Sequence, residues 1–171
     1  MQSPRRNSES MAEPHTKTGG ERLVDANRGE AATGLTDDAA KMLKDLKLRR
    51  RYRFLVLKIV NGAVAVETAG DPNGGLPELE AALPIADCRY AIYDHEFVTA
   101  DGRKTNKLLF ISWLPVNASA HAKMLLTASK VAVRRTLEGL FDVVAGDFSE
   151  VRAAVGADDG DDDDAGSDIS F

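Results

Sequence analysis

At 171 residues, with a formal net charge of −5 and one cysteine, the chain has the length of one domain and cannot hold an internal disulfide. No apolar run approaches the roughly eighteen residues of a membrane helix, and Met1-Gln2-Ser3-Pro4-Arg5-Arg6 lacks the apolar stretch of a secretory signal. A soluble, cytoplasmic protein without stable membrane insertion is expected, and redox chemistry at Cys88 is not.

Charge is unevenly spread. Residues 152–171 carry seven aspartates and one arginine, which leaves +1 on Met1–Val151. Residues 1–30, with Pro4, Pro14, Gly19, Gly20 and Gly29 among scattered charges, read as a disordered extension. Within it Arg5-Arg6 precede Ser8, the spacing some kinases require. Asp158-Asp159-Gly160-Asp161-Asp162-Asp163-Asp164 repels itself, so residues 156–171 read as an acidic disordered tail. Residues 31–155 remain as one folded domain.

A first helix is expected from Thr36, whose hydroxyl can cap the opening turn, with Asp37 and Asp38 at its positive end. Ala39, Met42, Leu43 and Leu46 form its apolar stripe. Arg49–Arg53 is a basic, poorly helical crossing into a central strand, Phe54–Ile59. Asn61-Gly62 turns that strand back through Ala63–Thr68, Asp71–Gly75 is a loop, and Leu76–Leu83 is a short helix with Leu76, Leu79 and Leu83 on one side.

Arg89–Val98 alternates as a strand, Asp101-Gly102 turns the chain, and Lys107–Trp113 returns, stopped by Pro115. Leu109, Ile111 and Trp113 fall on one face, so Trp113 belongs in the core. Arg103, Lys104 and Lys107 give the hairpin a positive tip. A long helix is predicted over Asn117–Gly139, followed by a strand at Leu140–Val144 and a short last turn capped by Asp147 or Ser149. These elements predict a mixed sheet covered by helices on both faces, without the repeated βαβ units of a nucleotide fold.

Ala122, Leu125, Leu126, Ser129, Ala132, Val133, Thr136 and Leu137 mark the buried side of the long helix. Lys123, Lys130 and Arg134 mark its exposed side, beside Met124, Thr127 and Val131. Lysines and arginines solvate many amphipathic helices. Met124 and Val131 make this face greasier than solubility requires, so it reads as a protein-binding surface.

Catalytic chemistry has no carrier. The chain lacks HExxH, the phosphate-cradling GxxxxGK[ST] and a second cysteine, and His15, His95 and His121 are widely separated, so no metal, cofactor or enzymatic activity is expected. Asp94 and Glu96 share one strand face, as surface carboxylates commonly do. The basic residues have few aromatic neighbours and the tail is anionic, which excludes nucleic acid as a partner.

Asp87-Cys88-Arg89-Tyr90-Ala91-Ile92-Tyr93-Asp94, then Lys107–Pro115, then Lys123-Met124 and Ala128-Ser129-Lys130 resemble, in that order, the actin-depolymerising factor/cofilin family. Asp45-Leu46-Lys47, Arg51-Tyr52 and Gly146–Val151 extend the likeness over about residues 31 to 151. The resemblance implies the ADF-homology (gelsolin-like) fold, an α/β arrangement with a five-stranded mixed sheet between helices. It also implies no enzymatic activity, and binding to actin monomers and filaments with filament severing and depolymerisation.

By position, Lys123, Met124, Lys130, Arg134 and Arg135 match the family's actin-binding helix, and Val131 stands where relatives carry an acidic residue. Arg103, Lys104 and Lys107 fit the hairpin that touches a second actin subunit. Thr33, Gly34 and Leu35 are the candidate N-terminal contact; the family's phosphorylated serine aligns with Ala31, or with Thr33 after a two-residue gap.

The family's longer charged C-terminal helix is replaced by Arg152-Ala153-Ala154-Val155, so weaker filament binding and severing are expected. The basic surface is also similar to one that binds phosphoinositide headgroups in relatives. The alternative is a noncatalytic adaptor that keeps this fold and recruits another protein through Val131, the acidic tail or Ile169-Ser170-Phe171.

Overall fold

The computed structural model describes residues 31–156. The readings of residues 1–30 and of the acidic run therefore lie outside the described residues. Thr36 caps α1 (Asp37–Lys44), its hydroxyl accepting from the Ala39 N–H at 3.1 Å. The helix widens into a π-helical turn, Asp45–Arg49, and Arg50 leaves it in the left-handed region at φ 55°. Ala39, Leu43 and Leu46 are buried and Met42 is half-buried, as the stripe predicts. Arg49 belongs to the π turn, so the basic crossing is one residue shorter than expected.

Five strands follow the expected order: β1 (Phe54–Val60), β2 (Ala63–Ala69), β3 (Arg89–Val98), β4 (Lys104–Trp113) and β5 (Phe141–Ala145). They form one sheet in the order β2-β1-β3-β4-β5, antiparallel except for the parallel β4–β5 pair. Asn61 and Gly62 both take positive φ, 53° and 78°, which is the conformation that an Asn-Gly hairpin turn requires.

Strand alternation sends the side chains to two cores. Leu55, Leu57, Tyr90, Ile92 and Phe110 meet α1 and α3 (Ala120–Arg134) on one face. Phe54, Val56, Tyr93, Leu109, Ile111 and Trp113 meet α2 (Leu76–Ala82) and α4 (Phe148–Gly156) on the other. Trp113 is buried as predicted; its indole N–H donates to the Pro84 carbonyl at 2.6 Å and its ring meets Phe148 edge-on at 6.4 Å.

Three boundaries differ from expectation by more than one residue. β4 begins at Lys104, because Thr99 closes the preceding turn with its N–H on the Arg103 carbonyl at 2.8 Å, with Gly102 at φ 85°. The long helix is shorter than Asn117–Gly139. Ala118 N–H bonds the Pro115 carbonyl in a turn at 3.0 Å, and Ser119 then caps the first helical turn through Ala122 N–H at 3.0 Å. At its other end, Thr136 and Leu137 N–H groups bond Val133 and Arg134 carbonyls at 3.0 Å in a tightened turn, and Thr136 is exposed where burial was expected.

The expected last short turn is a nine-residue helix, α4, burying Phe148, Val151 and Val155. Asp147 starts it, its carboxylate accepting from the Ser149 N–H at 2.9 Å. Ser149 hydroxyl also bonds that carboxylate and holds it below the usual carboxylate range.

Candidate functional site

Nothing in Ala120–Arg134 interrupts a helix: it contains neither glycine nor proline, and Ser119 supplies the cap. Leu126, Ser129 and Val133 are buried against the sheet, with Ala122, Leu125 and Ala132 half-buried beside them. One buried contact pins the helix to the sheet, and a second bond lies within the helix. Tyr90 hydroxyl donates to the Leu126 carbonyl, and Ser129 hydroxyl donates to the Leu125 carbonyl at 2.8 Å. Burial pushes the Tyr90 phenol far above its usual range, so it remains a donor.

On the outer side Met124 and Val131 are 60% and 65% exposed. Between and beside them stand Lys123, Lys130 and Arg135. From Ala120 to Arg135 the chain has no aspartate or glutamate, and among the described residues no carboxylate pairs with these three cations. Lys123 Nζ is only loosely held, donating to the Val116 carbonyl at 3.4 Å.

Arg134 departs from expectation. Instead of standing free, it folds back on the end of its own helix: its guanidinium donates to the Leu137 carbonyl and, at 3.2 Å, to the Leu140 carbonyl. It also meets Asp142 at 3.1 Å and lies 5.9 Å from the centre of the Phe110 ring. Cations suit the negative end of a helix, and here the cation also fastens the helix to β5.

The N-terminal strap lies against the same helix. Ala32 N–H donates to Ser129 Oγ at 2.7 Å, and Leu35 bridges Val64 in parallel register along the outer edge of β2. Val64 N–H donates to the Gly34 carbonyl at 2.8 Å and Thr33 N–H to the Gly62 carbonyl at 3.0 Å. Thr33 is exposed and Gly34 and Leu35 half-buried, so the strap and α3 form adjoining surface.

The hairpin cations are less free. Arg103 sits at the turn and pairs with Asp101 at 3.3 Å, Lys104 is exposed on β4, and Lys107 stands farther up the strand with Nζ 4.5 Å from the Phe141 ring centre. The positive tip is therefore drawn out along one strand edge.

Two charged clusters and one cleft escaped the sequence reading. Arg89 is buried and bonds Glu67 and Asp87, each at 2.7 Å. Its hydrogen bond holds the Glu67 carboxyl below the ordinary value of 4.5 against the opposing effect of burial. Arg50 bridges the buried Asp94 at 3.6 Å and Glu96 at 2.7 Å, while Asn106 donates to Asp94 at 2.7 Å. Asp94 and Glu96 thus do share one face, as anchors for the basic crossing. Ile85 and Val116, 76% and 80% exposed, line a cleft with Trp113, Pro115 and Phe148. Loop residues such as these carry no periodicity that would reveal them.

Cys88 is buried with its thiol pushed upward by burial. Among the described residues no cluster of His, Cys, Asp and Glu is placed to hold a metal ion, and no helix is long and apolar enough to cross a membrane.

Residues 32–156 match the family model for cofilin/tropomyosin-type actin-binding proteins, and the chain belongs to that family of noncatalytic proteins. It is 40% identical over 118 residues to actin-depolymerizing factor 5 of Oryza sativa subsp. japonica, covering 67% of this chain and 82% of that one. It is 37% identical over 120 residues to actophorin of Acanthamoeba castellanii, covering 68% and 86%. The crystal structure of Streptomyces griseoflavus cofilin superposes with a TM-score of 0.65 at 32% identity, over 73% of this chain and 96% of that chain. The five-stranded mixed sheet flanked by helices is the fold of that structure as well.

Proposed function

We propose that this protein binds actin monomers through the outer face of α3, with Lys123, Met124, Lys130, Val131 and Arg135 in contact and the Thr33–Leu35 strap alongside. One observation carries the reading: this helix face combines cations lacking carboxylate partners with two exposed apolar side chains. Met124 supplies a desolvated anchor, and the cations meet acidic groups of actin. Arg134 positions the helix end.

The hairpin residues Arg103, Lys104 and Lys107 provide the second contact, made with a neighbouring subunit in the filament. With Arg103 paired to Asp101 and Lys107 over Phe141, that contact is weaker than the one on α3. The protein thus promotes depolymerisation in the cytoplasmic actin cytoskeleton with weak severing. Phosphoinositide headgroups compete for the α3 cations.

Filament cosedimentation combined with nucleotide release from actin monomers tests the proposal. Altered nucleotide release with partial cosedimentation is expected. No association with either actin form at concentrations on the order of tens of micromolar would remove it.

A further inference from the structure

Apolar side chains scattered singly over a surface are ordinary. Ile85 and Val116 are not scattered: the two most exposed large apolar side chains among the described residues, they line one cleft of about 270 Å³. Ile85 stands in the link between α2 and β3, and Val116 in the link between β4 and α3. Between them the floor is made by Leu83, Trp113 and Phe148, all buried.

Both walls are held in place. Each follows a proline, Pro84 or Pro115, whose ring fixes the backbone φ. The Pro84 carbonyl accepts the Trp113 indole N–H at 2.6 Å, and the Pro115 carbonyl accepts the Ala118 N–H at 3.0 Å. An apolar site already in its binding shape loses little conformational freedom when it is filled. Its volume falls below the roughly 300–1,000 Å³ of small-molecule pockets, so it suits one or two side chains of a larger partner better than a whole small ligand.

Charge narrows the occupant. No lysine, arginine or histidine lines the cleft, and its charged lining is Glu80 and Asp147. Glu80 is taken by Arg152 at 2.5 Å, whose guanidinium also lies 4.9 Å from the centre of the Phe148 ring. Asp147 is exposed and meets no cation among the described residues, while the Ser149 N–H at 2.9 Å fixes its carboxylate. A carboxylate beside an apolar slot favours a cationic neighbour and rejects an acidic one.

We infer that this cleft docks an extended peptide segment of a partner protein, taking one large apolar side chain between Ile85 and Val116 and a flanking lysine or arginine at Asp147. It is a second surface, distinct from the outer face of α3, none of whose cations lines it.

Three blocked peptides, Gly-Lys-Phe-Lys-Gly, Gly-Glu-Phe-Glu-Gly and Gly-Lys-Ala-Lys-Gly, are titrated into the full chain at low salt, with backbone amide NMR shifts and the Trp113 indole N–H as readouts. The Lys-Phe-Lys peptide should move the Ile85, Val116, Asp147 and Trp113 signals together, with a Kd on the order of 1 mM. Its Glu counterpart should bind at least about fivefold more weakly, and the Ala peptide should leave the signals in place. Asp147→Asn, which keeps a capping side chain before α4, should erase the preference for Lys over Glu. Ile85→Ser/Val116→Ser should lose the Lys-Phe-Lys peptide at unchanged melting temperature.

No movement of these signals at up to about 10 mM peptide, equal binding of the Lys and Glu peptides, or a preference that survives Asp147→Asn would overturn the inference. So would cleft signals that shift with protein concentration before any peptide is added, which would give the cleft to a second copy. Cleft signals that move in a full-length Ile169→Ser/Phe171→Ser variant without peptide would give it to the chain's own end, and would overturn the inference equally.

Discussion

The outer face of α3 and the junction at its C-terminal end are made from the same residue types and behave oppositely. On the face, Lys123, Lys130 and Arg135 stand beside exposed Met124 and Val131. At the junction, Arg134 is bound by two carbonyls, a carboxylate and an aromatic ring. Position on a helical wheel says where a cation points. Whether it is available to a partner depends on what the chain brings back to meet it.

Variants can set a scale for this difference. The largest effect belongs to neither region but calibrates both: Trp113→Ala should cost about 3 to 5 kcal/mol by opening a cavity against Phe148 and losing the bond to Pro84. A nearly unchanged melting temperature would show that the ring does not support the core.

Arg134→Glu comes next. It removes two charge-assisted bonds to carbonyls and places a carboxylate opposite Asp142, so it should cost about 2 to 3 kcal/mol, with the partly exposed ion pair contributing little of that. Chemical denaturation reads the loss directly. If Arg134→Glu were as stable as the unmodified protein, the junction would not differ from the face.

Met124→Ala should leave stability within about 0.5 kcal/mol and weaken actin-monomer affinity roughly tenfold, because its side chain is 60% exposed in the free protein and desolvated only on binding. Equal affinity by titration would make Met124 a bystander.

A smaller effect is pH-dependent and lies at the Arg89 cluster, which resembles the junction in being internally paired. Glu67 has its carboxyl pKa lowered in the folded state by the Arg89 hydrogen bond, so its contribution is fully present above the ordinary value of 4.5 and is lost as pH falls through the lowered one. The stability gap between the unmodified protein and Glu67→Gln should therefore shrink as pH is lowered from about 6 to about 3. A gap constant across that range would show that the pairing does not stabilise the fold.

Much of the fold is legible from local sequence. Asn61-Gly62 demands its turn, Thr36 its helix start, and the period-two series Leu109, Ile111, Trp113 its core face. The outer face of α3 is equally legible, since helical spacing alone separates Met124 and Val131 from Leu126 and Val133. What stays hidden depends on partners fixed by tertiary structure. Arg89 meets Glu67 across 22 positions and Ala32 meets Ser129 across 97, contacts no periodicity reveals.

Arg134 departs from its helical-wheel position for a related reason. Asp142 is close in sequence, but only the turn at Thr136–Gly139 and the parallel docking of β5 bring it to the guanidinium. The last helix is longer than its sequence suggests: Phe148, Val151 and Val155 have helical spacing, yet so short a stripe gains its stability from the core it shares with Leu79, Leu83 and Trp113.

The Lys123→Glu/Lys130→Glu variant tests the actin-binding face most directly, because both changes lie on α3 and spare Arg134. Actin-monomer affinity and melting temperature are measured on the same preparation. The prediction is an affinity loss of at least about tenfold with the melting temperature unchanged within about 2 °C. Undiminished affinity in a folded variant would contradict the assignment of this face to actin.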